Sequence, residues 1–161
     1  MLGTGDDLDY TPEVKSTKVV LKETGDLSSR ILDTIGLRGR TGGSGPAVHQ
    51  CTGMDFDKFY RVNHPWSFLG VPVPKMQEAM RRLKRELPEQ GWEIVSYGPD
   101  SSKAKSLELM ANHTKKRFSL SITLQDRRGR SENPSQMEVT VASACNQVPK
   151  GEKVSDWFRP E

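Results

Sequence analysis

Two cysteines, Cys51 and Cys145, are all this chain of 161 residues contains. A structural zinc site wants four ligands in short Cys-x-x-Cys or His-x-x-x-His spacings, and these cysteines and three histidines show neither. No run approaches the roughly 18 apolar residues of a membrane-spanning helix. The opening "MLGTGDDLDYTPEVKS" has no basic start and no apolar segment, so it does not read as a secretory leader. A cytosolic chain lacks a leader, but so does the mature part of an exported one. Aromatics are 7% and the hydrophobic set 34% of the chain, with mean hydropathy -0.67. That is little for a compact domain, so part of the length lies outside the core. One-sided charge is missing too. Twenty-four basic residues face 21 acidic ones, for a net +3, without the lopsidedness of most nucleic-acid-binding domains.

Catalytic signatures are equally scarce. "TGGSG" lacks the following lysine and the strand-to-helix setting of a phosphate loop. "GTG" and "GRTGGSG" carry no dinucleotide fingerprint, and Asp55 and Asp57 are spaced as turn residues. The expectation is a protein that is not an enzyme, with no cofactor and no metal.

What is present reads as one α+β domain over residues 16–149, preceded by a flexible tether over 1–15 and followed by a tail over 150–161. Leu27, Ile31, Leu32 and Ile35 have helical spacing, with Asp26 as N-cap and Gly36 or Gly39 as stop. "TKVVLKET" before them is helix or strand, and Gly25 weakens any single long helix. "RGRTGGSG" is a flexible loop. "AVHQCTG" and "KFYRVNHPWSFLGV" form a hairpin joined by "MDFD", and Pro65 demotes the second to an edge or a broken strand. The clearest helix is "VPKMQEAMRRLKRELPEQG", whose stripe is Met76, Ala79, Met80, Leu83 and Leu87. Pro88 and Gly91 mark its exit. Strands follow at "WEIVSYG", "SLELMAN", "RFSLSITLQD" and "QMEVTVASAC", the third alternating Phe118, Leu120, Ile122 and Leu124 with polar residues. The sum is an antiparallel sheet of about five or six strands with two helices packed on one face.

Met137, Val139, Val141, Ser143 and Cys145 share one strand face, so Cys145 points to the core if the valines do. Cys51 ends another strand. Two lone cysteines at strand ends suit one disulfide, which would constrain the unfolded chain by roughly 4–5 kcal/mol and imply an oxidising compartment. Two buried free thiols remain an alternative, as does a reactive thiol, since "HQC" places His49 on the same side as Cys51.

Together the order of these pieces resembles the small secreted lipoproteins of actinobacteria: Cys51-Thr52-Gly53, the aromatic strand "KFYRV", Gly91-Trp92 in "LPEQGWEIVSYGPD", and a closing strand ending at Cys145 in "VASACNQVP". The resemblance spans roughly residues 17 to 149. It implies a leader and a lipid-bearing cysteine upstream of Met1, and it supplies no catalytic residues. The protein is then expected outside the cytoplasm, membrane-anchored or secreted, as a monomeric binding or structural domain with a cell-envelope protein or ligand as partner.

The possible binding surface combines Tyr60, His64 and Trp66 near the proline break with Arg81, Arg82 and Arg85 on the second helix. The arginines also suit a solvated face, with i,i+4 pairs Glu78–Arg82, Arg82–Glu86 and Arg85–Glu89, and the aromatics also suit core packing. An intracellular nucleic-acid-associated domain is the other reading. It would use Arg81, Arg82, Lys115, Lys116, Arg117, Arg127, Arg128 and Arg130, and nucleic acid is the less expected partner. Trp157 and Phe158 in the polar tail either dock back or form a short linear contact.

Overall fold

The computed structural model describes residues 9–158. Its order is α1 (Thr17–Ile35), β1 (Arg40–Gly42), β2 (Ala47–Gln50), β3 (Phe59–Leu69), α2 (Val73–Glu86), β4 (Glu93–Pro99), β5 (Leu107–His113), β6 (Phe118–Gln125), β7 (Gln136–Ser143) and β8 (Asn146–Gln147), with short 3-10 turns at Leu87–Gln90 and Val154–Phe158. The sheet is antiparallel in the order β1-β3-β7-β6-β5-β4, and β2 and β8 also pair with β3. Both helices cover one face, α1 over β3 and β7 and α2 over β6 and β7. The α+β class expected from the pattern is therefore present.

The alternation read in "RFSLSITLQ" explains the layering. Phe118, Leu120, Ile122 and Leu124 are buried beneath the helices, while Ser119, Ser121, Thr123 and Gln125 lie on the open face. On β7, Met137, Val139 and Val141 continue the buried row. The stripe of α2 seals it. Met76, Met80 and Leu83 are fully buried, on the order of 2 kcal/mol of burial each. The helix exits through Gly91 at φ 98. A Cβ there would come within 2.7 Å of the His113 Nε2, so only glycine lets Trp92 turn edge-on to His113.

Four expectations are corrected. Gly25 does not divide the first segment, because α1 runs unbroken through it, with Ser16 rather than Asp26 at its N-cap. Asp26 instead accepts a hydrogen bond from Lys22 on the exposed side. Part of the expected loop forms β1, whose Arg40 lies opposite Leu69. Pro65 does not sit on an edge, since β3 has neighbours on both sides. The proline faces β7 opposite Thr140, and its missing donor falls in the gap where β1 has ended at Gly42 and β2 begins at Ala47. Gly43 crosses that gap, and a Cβ on it would be 2.9 Å from the Pro65 carbonyl oxygen. A strand residue's N and C=O point the same way, so the proline deprives neither neighbour of a ladder bond. Lastly, the three i,i+4 pairs expected on α2 are not made. Arg85 meets Glu86 and Lys75 lies near Glu78, because Arg82 is drawn away to α1.

The lead-in and the tail are both fastened where they are described. Residues 1–8 lie outside the described residues. From there the Tyr10 hydroxyl accepts a bond from Cys145 N, Val14 bridges Gln147 in parallel, and Arg117 donates to the Thr11 carbonyl. In the tail Val154 is fully buried and its N–H donates to the Asp57 carbonyl, while Trp157 stays 47% exposed.

Candidate ligand cleft

The opening between α1 and the start of the sheet is set by three local features. The chain between β1 and β2 is "GSGP", too short of side chains to fill the gap it spans. The α1 face opposite carries Gly25, with nothing within 4 Å of where its Cβ would stand. The core face of β3 projects His64 and Trp66 between them. The result is an open cleft of about 300 Å³, lined by Gly25, Ser28, Leu32, Gly43, His64 and Trp66 among others.

Its polar centre is a chain of three side chains. Trp66 Nε1 donates to Ser28 Oγ at 3.2 Å, and Ser28 Oγ lies 2.7 Å from His64 Nδ1. Indole nitrogen can only donate, so Ser28 accepts there; its hydroxyl can donate in turn to Nδ1, the role open to it when the imidazole carries its proton on Nε2. In that tautomer all three groups have partners and the remaining imidazole N–H is on Nε2. Loss of solvent pulls the His64 pKa below the usual imidazole value, which keeps the ring neutral. The arrangement is a strut between helix and sheet that leaves one N–H donor beside an apolar wall. It is poorly built for nucleophilic attack, because Ser28 is only 4% exposed and already accepts from Trp66.

The expected binding surface thus divides. His64 and Trp66 come together in this cleft. Tyr60 does not join them: it is fully buried, its hydroxyl donates to the Lys15 carbonyl at 2.6 Å, and burial pushes its pKa far up. The arginines lie elsewhere. Arg82 Nη1 donates to the Ile35 carbonyl at 2.6 Å, filling an orphan acceptor at the end of α1. Arg81 stands close enough to Tyr97 to act on its phenol, and Arg85 is exposed beside Glu86. Ser28 and Gly43 were not singled out from the sequence, and Leu32 was read only as part of the apolar spacing of the first helix. A glycine in mid-helix and a glycine-rich crossing after it were the available signals.

The basic residues of the nucleic-acid reading do not make one surface. Lys115, Lys116 and Arg117 sit at one end of β6, and Arg127, Arg128 and Arg130 at the other, roughly 26 Å apart along an extended strand. Arg117 is held by Thr11 and Glu13, and Arg127 by Pro134 and Gln125.

Cys51 and Cys145 are bonded, with sulfurs 2.12 Å and Cα atoms 6.1 Å apart. Cys51 follows β2 and Cys145 precedes β8, and these two strands flank Tyr60 from opposite sides. The bond therefore ties together both neighbours of the start of β3. Both cysteines are buried. No group of three or more possible metal-binding side chains occurs among the described residues, and no helix among them is long and apolar enough to cross a membrane. Comparison with family models, with curated proteins and with solved structures found no match.

Proposed function

We propose that this protein is a monomeric, non-catalytic binding domain of the bacterial cell envelope. It works outside the reducing cytosol, held at the membrane by a lipid on an upstream cysteine. The observation that carries the reading is the buried Cys51–Cys145 bond, because such bonds persist in oxidising compartments and are rare in the cytosol. The resemblance in strand order and cysteine placement to secreted actinobacterial lipoproteins supplies the anchor and the envelope address. The ligand or envelope partner enters the cleft between α1 and β3. Its chemistry is an apolar body, packed against Leu32 and the Trp66 ring, with one oxygen accepting from His64 Nε2.

Expression of the chain with its own upstream sequence in its bacterial host tests the address. Thiols are alkylated before lysis. The expected result is an envelope-bound protein, released by detergent, with neither cysteine labelled. A protein in the cytosolic fraction carrying two labels refutes it. The cleft is tested by a fragment screen read on the His64 and Trp66 side-chain NMR signals. Fragments that shift both should lose their effect in Gly25→Phe, which fills the opening. Shifts that survive that substitution place the ligand elsewhere.

A further inference from the structure

At the opposite end of the sheet from the disulfide, the β4–β5 turn and the β6–β7 loop meet beside the first turns of α2. They enclose a second cleft of about 290 Å³, lined by Gln77, Lys105, Ser106, Asp126, Arg128 and Arg130 among others. Three of these side chains are cationic. The one carboxylate is already saturated: Arg128 reaches Asp126 through its backbone N–H at 3.1 Å, through Nε at 2.9 Å and through Nη2 at 2.8 Å. That contact holds the Asp126 carboxyl below the usual carboxylate range, so it stays charged and paired. Among the described residues Lys105 and Arg130 form no salt bridge at contact distance, and they act on Asp100 and Asp126 only from further off. The lining therefore sets three cations against one carboxylate, with Asp100 standing behind Lys105 in the same turn.

Both loops present these cations from fixed backbone. Asp100 Oδ1 accepts from the Ser102 and Ser106 N–H groups, and Lys105 N–H closes the turn on the Ser102 carbonyl. Across the cleft, Arg127 N–H donates to Ser135 Oγ and Arg130 N–H to the Arg127 carbonyl. Lys105 holds φ 49, a left-handed conformation that glycine or asparagine adopts at less cost. Arg128 also lines an adjoining cleft with Arg40, extending the positive rim.

We propose that this end of the molecule binds a phosphate group, monoester or diester, with Lys105 and Arg130 on its oxygens and Gln77 and Ser106 as neutral donors. The site is independent of the α1–β3 cleft. Cations presented from opposite sides of the cleft suit a tetrahedral phosphate group, whose non-bridging oxygens diverge toward both loops, better than the two coplanar oxygens of a carboxylate.

The experiment titrates pyrophosphate into the full chain by calorimetry and, in parallel, sediments the protein with vesicles of phosphatidylcholine alone or mixed with phosphatidylglycerol. The test variant is Lys105→Gly with Arg130→Ala. The glycine relieves the φ constraint, so the variant should fold at least as well as the parent. The control is Lys115→Ala with Lys116→Ala at the far end. Binding weakened roughly tenfold or more in the test variant and unchanged in the control supports the site. Saturable pyrophosphate binding identifies a soluble phosphate ligand. Sedimentation only with phosphatidylglycerol, lost in the test variant, identifies a lipid headgroup. Equal weakening in both variants, or no binding in either arm, overturns the proposal.

Discussion

Replacing both Cys51 and Cys145 by alanine removes a link that closes 94 positions of chain. For a loop of that length the lost constraint on the unfolded state is about 4.7 kcal/mol at 25 °C. Residual structure in the unfolded chain lowers the figure, and loss of two buried sulfurs raises it slightly, so a decrease of about 3–5 kcal/mol is expected. With a urea slope near ~2 kcal/mol per molar, the midpoint falls by roughly 2 M. The measurement is urea unfolding followed by fluorescence, on the parent with and without reductant and on the double variant. Reduced parent and double variant should nearly coincide. Native parent should resist reductant until it unfolds, because the cysteines are only 4% and 3% exposed. The reasoning fails if reduction moves the unfolding free energy by less than about 1 kcal/mol, or if alkylation of unfolded, unreduced protein labels both cysteines.

Three further outcomes follow from local geometry. Gly25→Ala should stabilise the fold by about 0.5–1 kcal/mol, since the helix gains propensity and the new methyl meets nothing; a loss of stability in the same urea assay contradicts the open-cleft geometry. Arg82→Met keeps the stem but abandons the Ile35 carbonyl at the end of α1, and should cost about 1–2 kcal/mol, whereas the exposed Arg85→Met should change almost nothing. Burial depresses the pKa of both His64 and His113, so the unfolded chain binds more protons as acidity rises. Stability is then complete above the ordinary imidazole value near ~6.5 and declines as pH falls through the lower folded pKa values. Urea curves at pH 7.5 and pH 5 should show this, with a smaller drop in His64→Gln; a rise in stability on acidification reverses the sign and refutes the assignment.

The layered sheet was legible because β6 and β7 alternate cleanly, and α2 because its apolar stripe keeps helical spacing over about three turns. Pro65 misled for a definable reason. The penalty for proline in a strand depends on what faces its nitrogen, and here a gap between two short strands faces it, which only the three-dimensional register reveals. Gly25 misled likewise, since a propensity cost of about 1 kcal/mol is small beside the burial of Val20, Leu27 and Ile31 along the same helix. The cysteines could be paired because both stand at strand ends, Cys51 just after β2 and Cys145 between β7 and β8. The cleft was half legible. His64 and Trp66 stood out as an aromatic cluster beside a proline, but Ser28 lies 36 positions earlier, marked only by the nearby mid-helix Gly25. Tyr60 and Arg82 carry the chemistry of a surface yet are used to lash elements together.

The place of β7 in the sheet has a consequence for how the protein is made. It lies between β3, which leaves the ribosome long before it, and β6, which precedes it by a single loop. Until residues 136–143 emerge, the nascent chain consists of two partial sheets, each with a long unpaired border able to recruit other strands. Almost the entire polypeptide must be delivered before its centre can close, so the interval just before completion is when the molecule most needs shielding from its neighbours.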